Sequence, residues 1–324
     1  MMTRRRFAAC ALAASLASLA AQSFAQDEFP NRPVTIVAPF PAGSVTDAVT
    51  RTLAQALQPS LGQPIVVENR AGAQGTIGAA HVANARPDGH TLLMGSSVMF
   101  VANRLIKTLP YDPVRSFTPV SAIGSTAMMF LVQQSSPMQS VADLTRAAKQ
   151  SSRPLSMAYG SPSGQVAVAL FSTITDTAPT AVSYRGIPQA ITDLVGGQVD
   201  VAVVDIGNGL LQVNSGKARA LAISAASRYA GAPDVPTLQE SFPDARGSLE
   251  TIIAVMAPAG TPPAVVSRLD AAIQAALATD RVKEQFRTLN TTVLPLSAAR
   301  LAERIAADNP RWESLMKKAG IEAQ

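Results

Sequence analysis

Three stretches set small and hydroxyl-bearing residues where an apolar run gives way to helical spacing: PFPAGSVTD (39–47), MGSSVMF (94–100) and YGSPSGQVA (159–167). The first turn of a helix carries N–H groups without intrahelical acceptors and a partial positive charge, a combination that suits an anion. Glycine lets the backbone come close, and serine adds a hydroxyl donor. None of the three loops contains Lys or Arg. The chemistry they suggest is capture of a small anion by peptide groups and hydroxyls. Gly-Ser turns also begin helices that bind nothing; three loops of one layout, split between two halves of the chain, favour binding.

Other chemistries are poorly supplied. His81 and His90 are the only histidines, and neither has the carboxylates or cysteines of a zinc set. Each reads as a packing or surface residue. A Ser-His-Asp triad would need one of them, and there is no G-x-S-x-G elbow. GAQGTIG (72–78) has spaced glycines after a strand but departs from the dinucleotide fingerprint, and no Gly-Lys-Ser/Thr closes a phosphate loop. Asp205, after VDVAVV, reads as a helix N-cap or as an acceptor for a ligand ammonium or hydroxyl. Arg185, in SYRG, reads as a solvated charge or a carboxylate clamp. Trp312 reads as packing. No metal and no cofactor is expected.

The elements that must hold the loops alternate. RPVTIVAPF is a near-continuous apolar run, as in a strand covered on both faces. From Asp47 onward Val49, Leu53, Ala56 and Leu57 share a helix face. PIVVEN, HTLLMGSS, LSMAY, TAVSY, VDVAVVDI and ARALAIS read as further strands. TIGAAHVANA, VMFVANRLI, the segment after YGSPSG, IPQAITDLVGGQ and NGLLQVNSGK read as helices between them. The alternation predicts βαβ units and parallel sheets. TPVSAIGSTAMMFLVQQ (118–134) and LETIIAVMAPAGTPP (249–263) are too long for one short strand each and read as crossings between two domains. The rest is helical, with Pro310 expected to interrupt the last helix.

The first residues read as an export leader. Arg4, Arg5 and Arg6 precede an Ala/Leu-rich segment, and Ser23 and Ala25 supply a small-x-small site, so cleavage is expected after Ala25. TRRRF also resembles a twin-arginine signal, but the run is short and ordinary export is favoured. A membrane anchor would need ~20 strongly apolar residues, and here Ala and Ser dominate. Cys10, the one cysteine, leaves with the leader, so the mature chain has no thiol chemistry. The loss of three arginines takes the formal charge from +5 to +2. With no dense basic run and few aromatics, a nucleic-acid surface is not expected. What remains is long enough for two domains.

RPVTIVAPFPAGSVTD, LGQPIVVENRAGAQGTIGAAHVANARPDGHTLLMGSS, LPYDPVRSFTPV, DLVGGQVDVAVVD, GKARALAIS, PDVPTLQES and APAGTPPAVVSRL together resemble the Bug-type (TctC-like) solute receptors of tripartite tricarboxylate transporters. The likeness runs over essentially the whole mature chain. It implies an α/β, two-lobed, type II-like periplasmic-binding fold: a leader at 1–25, lobe 1 from 26–124 plus 252–324, lobe 2 from 125–251, and two crossing strands as the hinge. It implies a periplasmic receptor, monomeric and not an enzyme, that closes on a small carboxylate and passes it to the membrane subunits of the transporter.

Carried over onto this sequence, the first-lobe site falls on Phe40, Pro41, Ala42, Gly43, Thr46 and Asp47, with Ser96 and Ser97 opposite. Ser44 and Val45 stand where the family has two further glycines. The second-lobe site falls on Ser161, Ser163, Gly164, Gln165, Tyr184 and Asp205. Gln165, Val166 and Ala167 follow Gly164 where the family has Thr/Ser and a His, so a ligand less polar than citrate is expected. A sensor feeding a membrane signalling partner would use the same closed form, and an exported hydrolase or lyase on this architecture is the remaining alternative.

Overall fold

The structure is a computed structural model that describes residues 29–97, 99, 108–243 and 248–318. The expected leader and, apart from Met99, the expected helix VMFVANRLI lie outside the described residues. In chain order the elements of the first half are β1 (Val34–Ala38), α1 (Val45–Leu61), β2 (Ile65–Asn69), α2 (Thr76–Ala83), β3 (Thr91–Ser96) and β4 (Phe117–Gln133). Then come α3 (Val141–Gln150), β5 (Ser156–Tyr159), α4 (Pro162–Thr175), β6 (Thr180–Ser183), α5 (Ile187–Val195), β7 (Val201–Asp205), α6 (Ile206–Asn214) and β8 (Ala218–Ile223). The chain ends with α7 (Leu238–Ser241), β9 (Glu250–Pro258), α8 (Pro263–Ala278), α9 (Asp280–Thr288), β10 (Thr292–Ser297) and α10 (Ala298–Lys318).

The strands form a curled mixed sheet ordered β2-β1-β3-β9-β4-β7-β5-β6, with β8 and β10 also pairing β4. The βαβ units are parallel, as expected: β1 with β2 and β3, and β5 with β6 and β7. The two long crossings are antiparallel to their neighbours, so the sheet is mixed rather than parallel. β4 is one strand through both halves: Phe117 to Ala127 pairs β9, and Met128 to Leu131 pairs β7.

Both faces of this sheet are covered, and the side-chain period of two sorts the strand residues between them. On β4, Met128, Phe130 and Val132 pack with α3 and α4, while Ala127, Met129 and Leu131 pack with α5 and α6. On β9, Ile253, Val255 and Ala257 pack with α1, α8 and α9, while Ile252, Ala254 and Met256 pack with α2 and the start of α10. Val49, Leu53 and Leu57 of α1 are buried, each burial stabilising by roughly 1.5–3 kcal/mol.

Two expectations are corrected. TVLPLS is a strand, β10, in a stretch expected to be helical. Its strand partner among the described residues is β4, with Pro295 inside a register shift between Val293 and Leu296, where a missing N–H is tolerated. Pro310 does not interrupt the last helix: α10 runs through it. Leu301 and Ile305 before the proline are buried in the first half, and Trp312 after it is buried in the second. Their burial, roughly 1.5–3 kcal/mol each, outweighs the roughly 3 kcal/mol cost of an internal proline. For the same reason the end of α10 packs on the half containing β5–β8.

The halves are stitched where β4 passes between them. The buried Ser224 hydroxyl accepts from the Met128 N–H (2.9 Å) and donates to the Leu249 carbonyl (2.8 Å). Its own N–H donates to the Met128 carbonyl at 2.8 Å.

Candidate functional site

A cavity of about 150 Å³ lies between the halves. Four helix starts reach it: Ser44 to Thr46 of α1, Ser161 to Ser163 of α4, Gly186 to Pro188 of α5, and Asp205 with Asn208 of α6. Gly95 and Ser96 at the end of β3 close another side.

The α1 start is built with care. Gly43 sits at φ 81°, left-handed backbone that favours glycine, and a Cβ there would meet nothing within 4 Å. Ser44 caps the helix by accepting from the Asp47 N–H at 3.2 Å. Asp47 turns back to accept from the Gly43 N–H (3.0 Å), from Asn69 Nδ2 (2.9 Å) and from Arg51 (3.0–3.1 Å). Asn69 also donates to the Phe40 carbonyl. Burial pushes the Asp47 carboxyl up, but these bonds and the Arg51 charge outweigh it, holding the group below the usual carboxylate range. Helix geometry leaves the N–H groups of Val45 and Thr46 without intrahelical acceptors, and both residues line the cavity.

The α4 and α5 starts lie back to back. A Cβ on Gly160 would overlap the Gly186–Ile187 peptide, so only glycine allows the approach. Ser161 caps α4 by accepting from the Gly164 N–H at 3.2 Å, and Pro162 occupies the first helical position. That leaves the Ser163 N–H as the first-turn donor of α4. At α6, Asp205 is the N-cap and accepts from Asn208 N (2.9 Å) and Nδ2 (2.8 Å). Burial pushes its carboxyl up, against the lowering effect of those bonds. Asp205 is the one ionisable side chain among the described lining residues, and no Lys, Arg or His is among them.

Of the residues expected at the site, Phe40, Pro41, Ala42, Gly43, Ser44, Thr46, Ser96, Ser161, Ser163 and Asp205 line this cavity. Asp47 instead braces the first loop. Ser97 accepts from the Ile252 N–H at 3.1 Å and ties β9 to the end of β3. Gly164 is packed behind the loop, where a Cβ would lie 3.0 Å from Tyr159 Cβ and from the Val203 carbonyl. Gln165 is buried outside the lining. Tyr184 donates to Asp193 at 2.6 Å, a bond that pushes its phenol up to about 12. Arg185 is exposed and outside the lining.

The sequence reading missed Gly186, Ile187 and Pro188, although SYRGIP repeats the strand–loop–helix layout of the other loops. It also missed Thr126, Met128, Thr251 and Ile253. Their signal was the i, i+2 alternation along the two crossing strands. GAQGTIG has a packing role: a Cβ on Gly78 would lie 3.0 Å from Pro39 Cβ, and one on Gly75 would press on Met99, so α2 packs directly beneath the first loop.

The halves meet around the cavity. A Cβ on Gly207 would lie 3.1 Å from Val45 Cγ2, one on Gly186 3.8 Å from Pro41 Cγ, and the Tyr229 hydroxyl donates to Asn290 at 3.3 Å. Among the described residues no helix is long and apolar enough to cross a membrane, and no cluster of three or more His, Cys, Asp or Glu could hold a metal.

Comparison with known proteins agrees with this architecture. The family model described as the tripartite tricarboxylate transporter family receptor matches residues 49–321. Protein BugT of Bordetella pertussis is 33% identical over 299 residues, covering 91% of each chain. The solved structure of R. palustris Rpa4515 with adipate superposes with a TM-score of 0.85 at 32% identity, covering 92% of this chain and 100% of that one. MatC (Rpa3494) from Rhodopseudomonas palustris with bound malate gives 0.81 at 32% identity, covering 89% and 99%.

Proposed function

Because the chain belongs to the tripartite tricarboxylate transporter receptor family, whose members are periplasmic solute-binding receptors, we propose that it captures a small organic carboxylate between its halves. It then hands the acid, unchanged, to the membrane subunits of a tripartite tricarboxylate-type transporter. It acts as an exported monomer, its leader removed near Ala25. The observation that carries the reading is the convergence of four helix starts on one cavity with no cationic side chain among its described lining residues. Peptide dipoles aimed inward favour a negative charge there. The carboxylate ligands of the similar adipate-bound and malate-bound proteins support the same class.

Magnitudes explain why both halves are needed. Hydrogen bonds to a charged group contribute roughly 1.5–3 kcal/mol each. Three or four of them give roughly 5–12 kcal/mol, against an association cost of at least ~4. Micromolar affinity needs about −8, which the bonds reach only at the very top of that range, so burial of the rest of the acid supplies the difference. The cavity is close in size to the engineered cavity of about 150 Å³ that takes up benzene, so the acid is compact. The test is mass spectrometry of small acids that co-purify with the native protein, followed by calorimetry with those acids, adipate and malate. No heat with any acid, together with an unchanged scattering profile, would overturn the proposal.

A further inference from the structure

The cavity wall has a second polar element, carried by the crossing strands rather than by the helix starts. Thr126 and Thr251 are register partners on β4 and β9, the two strands that cross between the halves. Met128 and Ile253 stand two residues further along the same faces, and all four residues line the cavity. Thr251 is 3% exposed, and its Oγ1 has no hydrogen-bond partner. Thr126 Oγ1 donates to the adjacent Ala127 carbonyl at 3.5 Å, the outer limit of a hydrogen bond. A buried hydroxyl is rarely left as poorly served as that of Thr251, and Thr126 beside it is half-buried. Rotation about Cα–Cβ exchanges the hydroxyl and methyl of a threonine, so each side chain can turn its oxygen toward a bound molecule.

Resting on the carboxylate-receptor reading, we propose that Thr126 and Thr251 form an uncharged polar subsite that selects acids carrying a neutral oxygen, hydroxyl or oxo, at the end remote from the carboxylate. The helix starts take the carboxylate, Met128 and Ile253 cover the apolar middle, and the paired hydroxyls donate to or accept from the remote oxygen. With no cationic side chain in the described lining, a second carboxylate finds no counter-charge at this end.

The test is calorimetry on two shape-matched pairs of monocarboxylates: 4-hydroxybutanoate against pentanoate, and 4-oxopentanoate against 4-methylpentanoate. In the wild-type protein the oxygenated member of each pair binds at least about fivefold tighter, the factor expected of one net hydrogen bond. In Thr251→Val, which keeps the shape and removes the hydroxyl, the ratio falls below about twofold. Thr126→Val serves as the second variant if Thr251→Val fails to fold. An unchanged ratio in the folded variant, or tighter wild-type binding of the hydrocarbon member, overturns the subsite. Binding of adipate, malate or a co-purified acid without binding of either pair overturns it while leaving the receptor reading intact. Silence with every acid removes both.

Discussion

Replacing Gly43 by alanine separates backbone strain from ligand contact, because the molecule contains its own control. Gly43 and Gly62 both sit in left-handed backbone, at φ 81° and 68°, and a Cβ at either meets nothing within 4 Å. Alanine at each position therefore carries the same conformational cost, about 1–2 kcal/mol, with no clash to add. Gly62 ends α1, far from the lining; Gly43 lines the cavity. Only at Gly43 does the added methyl take space from a compact ligand, and overfilling a packed site costs typically 1–3 kcal/mol. At 1.4 kcal/mol per factor of ten, that is a roughly 5- to 150-fold loss of affinity. Denaturant unfolding of both variants should show equal falls in stability. Calorimetry with the co-purified acid should show weakened binding for Gly43→Ala alone. Equal affinities for the two variants would refute the placement of the ligand against this loop.

Three further outcomes are expected. Asp205→Asn preserves the N-cap and removes a carboxyl whose folded pKa burial has raised. A raised carboxyl favours the fold only below its unfolded range, about pH 4, and that stability is lost as pH rises through the folded value. The variant should therefore gain on the wild type in unfolding experiments from pH 4 to 8, and a flat difference would contradict the burial. Ser224→Ala leaves the Met128 N–H and the Leu249 carbonyl without the hydroxyl that serves both. At about 1–3 kcal/mol for each of the two buried groups, stability should fall by roughly 2–6 kcal/mol, and a loss under about 1 would show that the stitch is dispensable. Tyr184→Phe removes the bond to Asp193 and should cost about 1 kcal/mol of stability while acid binding in calorimetry stays unchanged. A marked loss of affinity would return Tyr184 to the site.

What was legible in the sequence follows the range of the forces involved. The buried strands and amphipathic helices announce themselves through local periodicity, so VTIVA, VAVVD and the Val49–Leu53–Leu57 stripe were readable. The helix starts of α1 and α4 were readable because Gly, Ser and Pro act within a few residues of themselves. Whether a side chain faces the cavity or braces the loop behind it was not readable. Asp47 and Ser44 are three residues apart and both polar, yet Asn69, brought in from β2, joins Arg51, one turn along the same helix, in holding Asp47 against the loop. Thr126 and Thr251 become neighbours only through a pairing 125 positions apart in the chain. Pro310 shows the limit of local rules: the helix around it is set by two distant cores.

That last helix alters how the halves can move. Two adjacent strands alone would let the packed bodies they join swivel about the line between them. α10 is rooted in one body by Leu301 and Ile305 and in the other by Trp312, so any swivel of one body against the other would have to disturb one of those two anchorages. A chain cut just ahead of Pro310 would take Trp312 out of the second core and with it a helix rooted in both bodies.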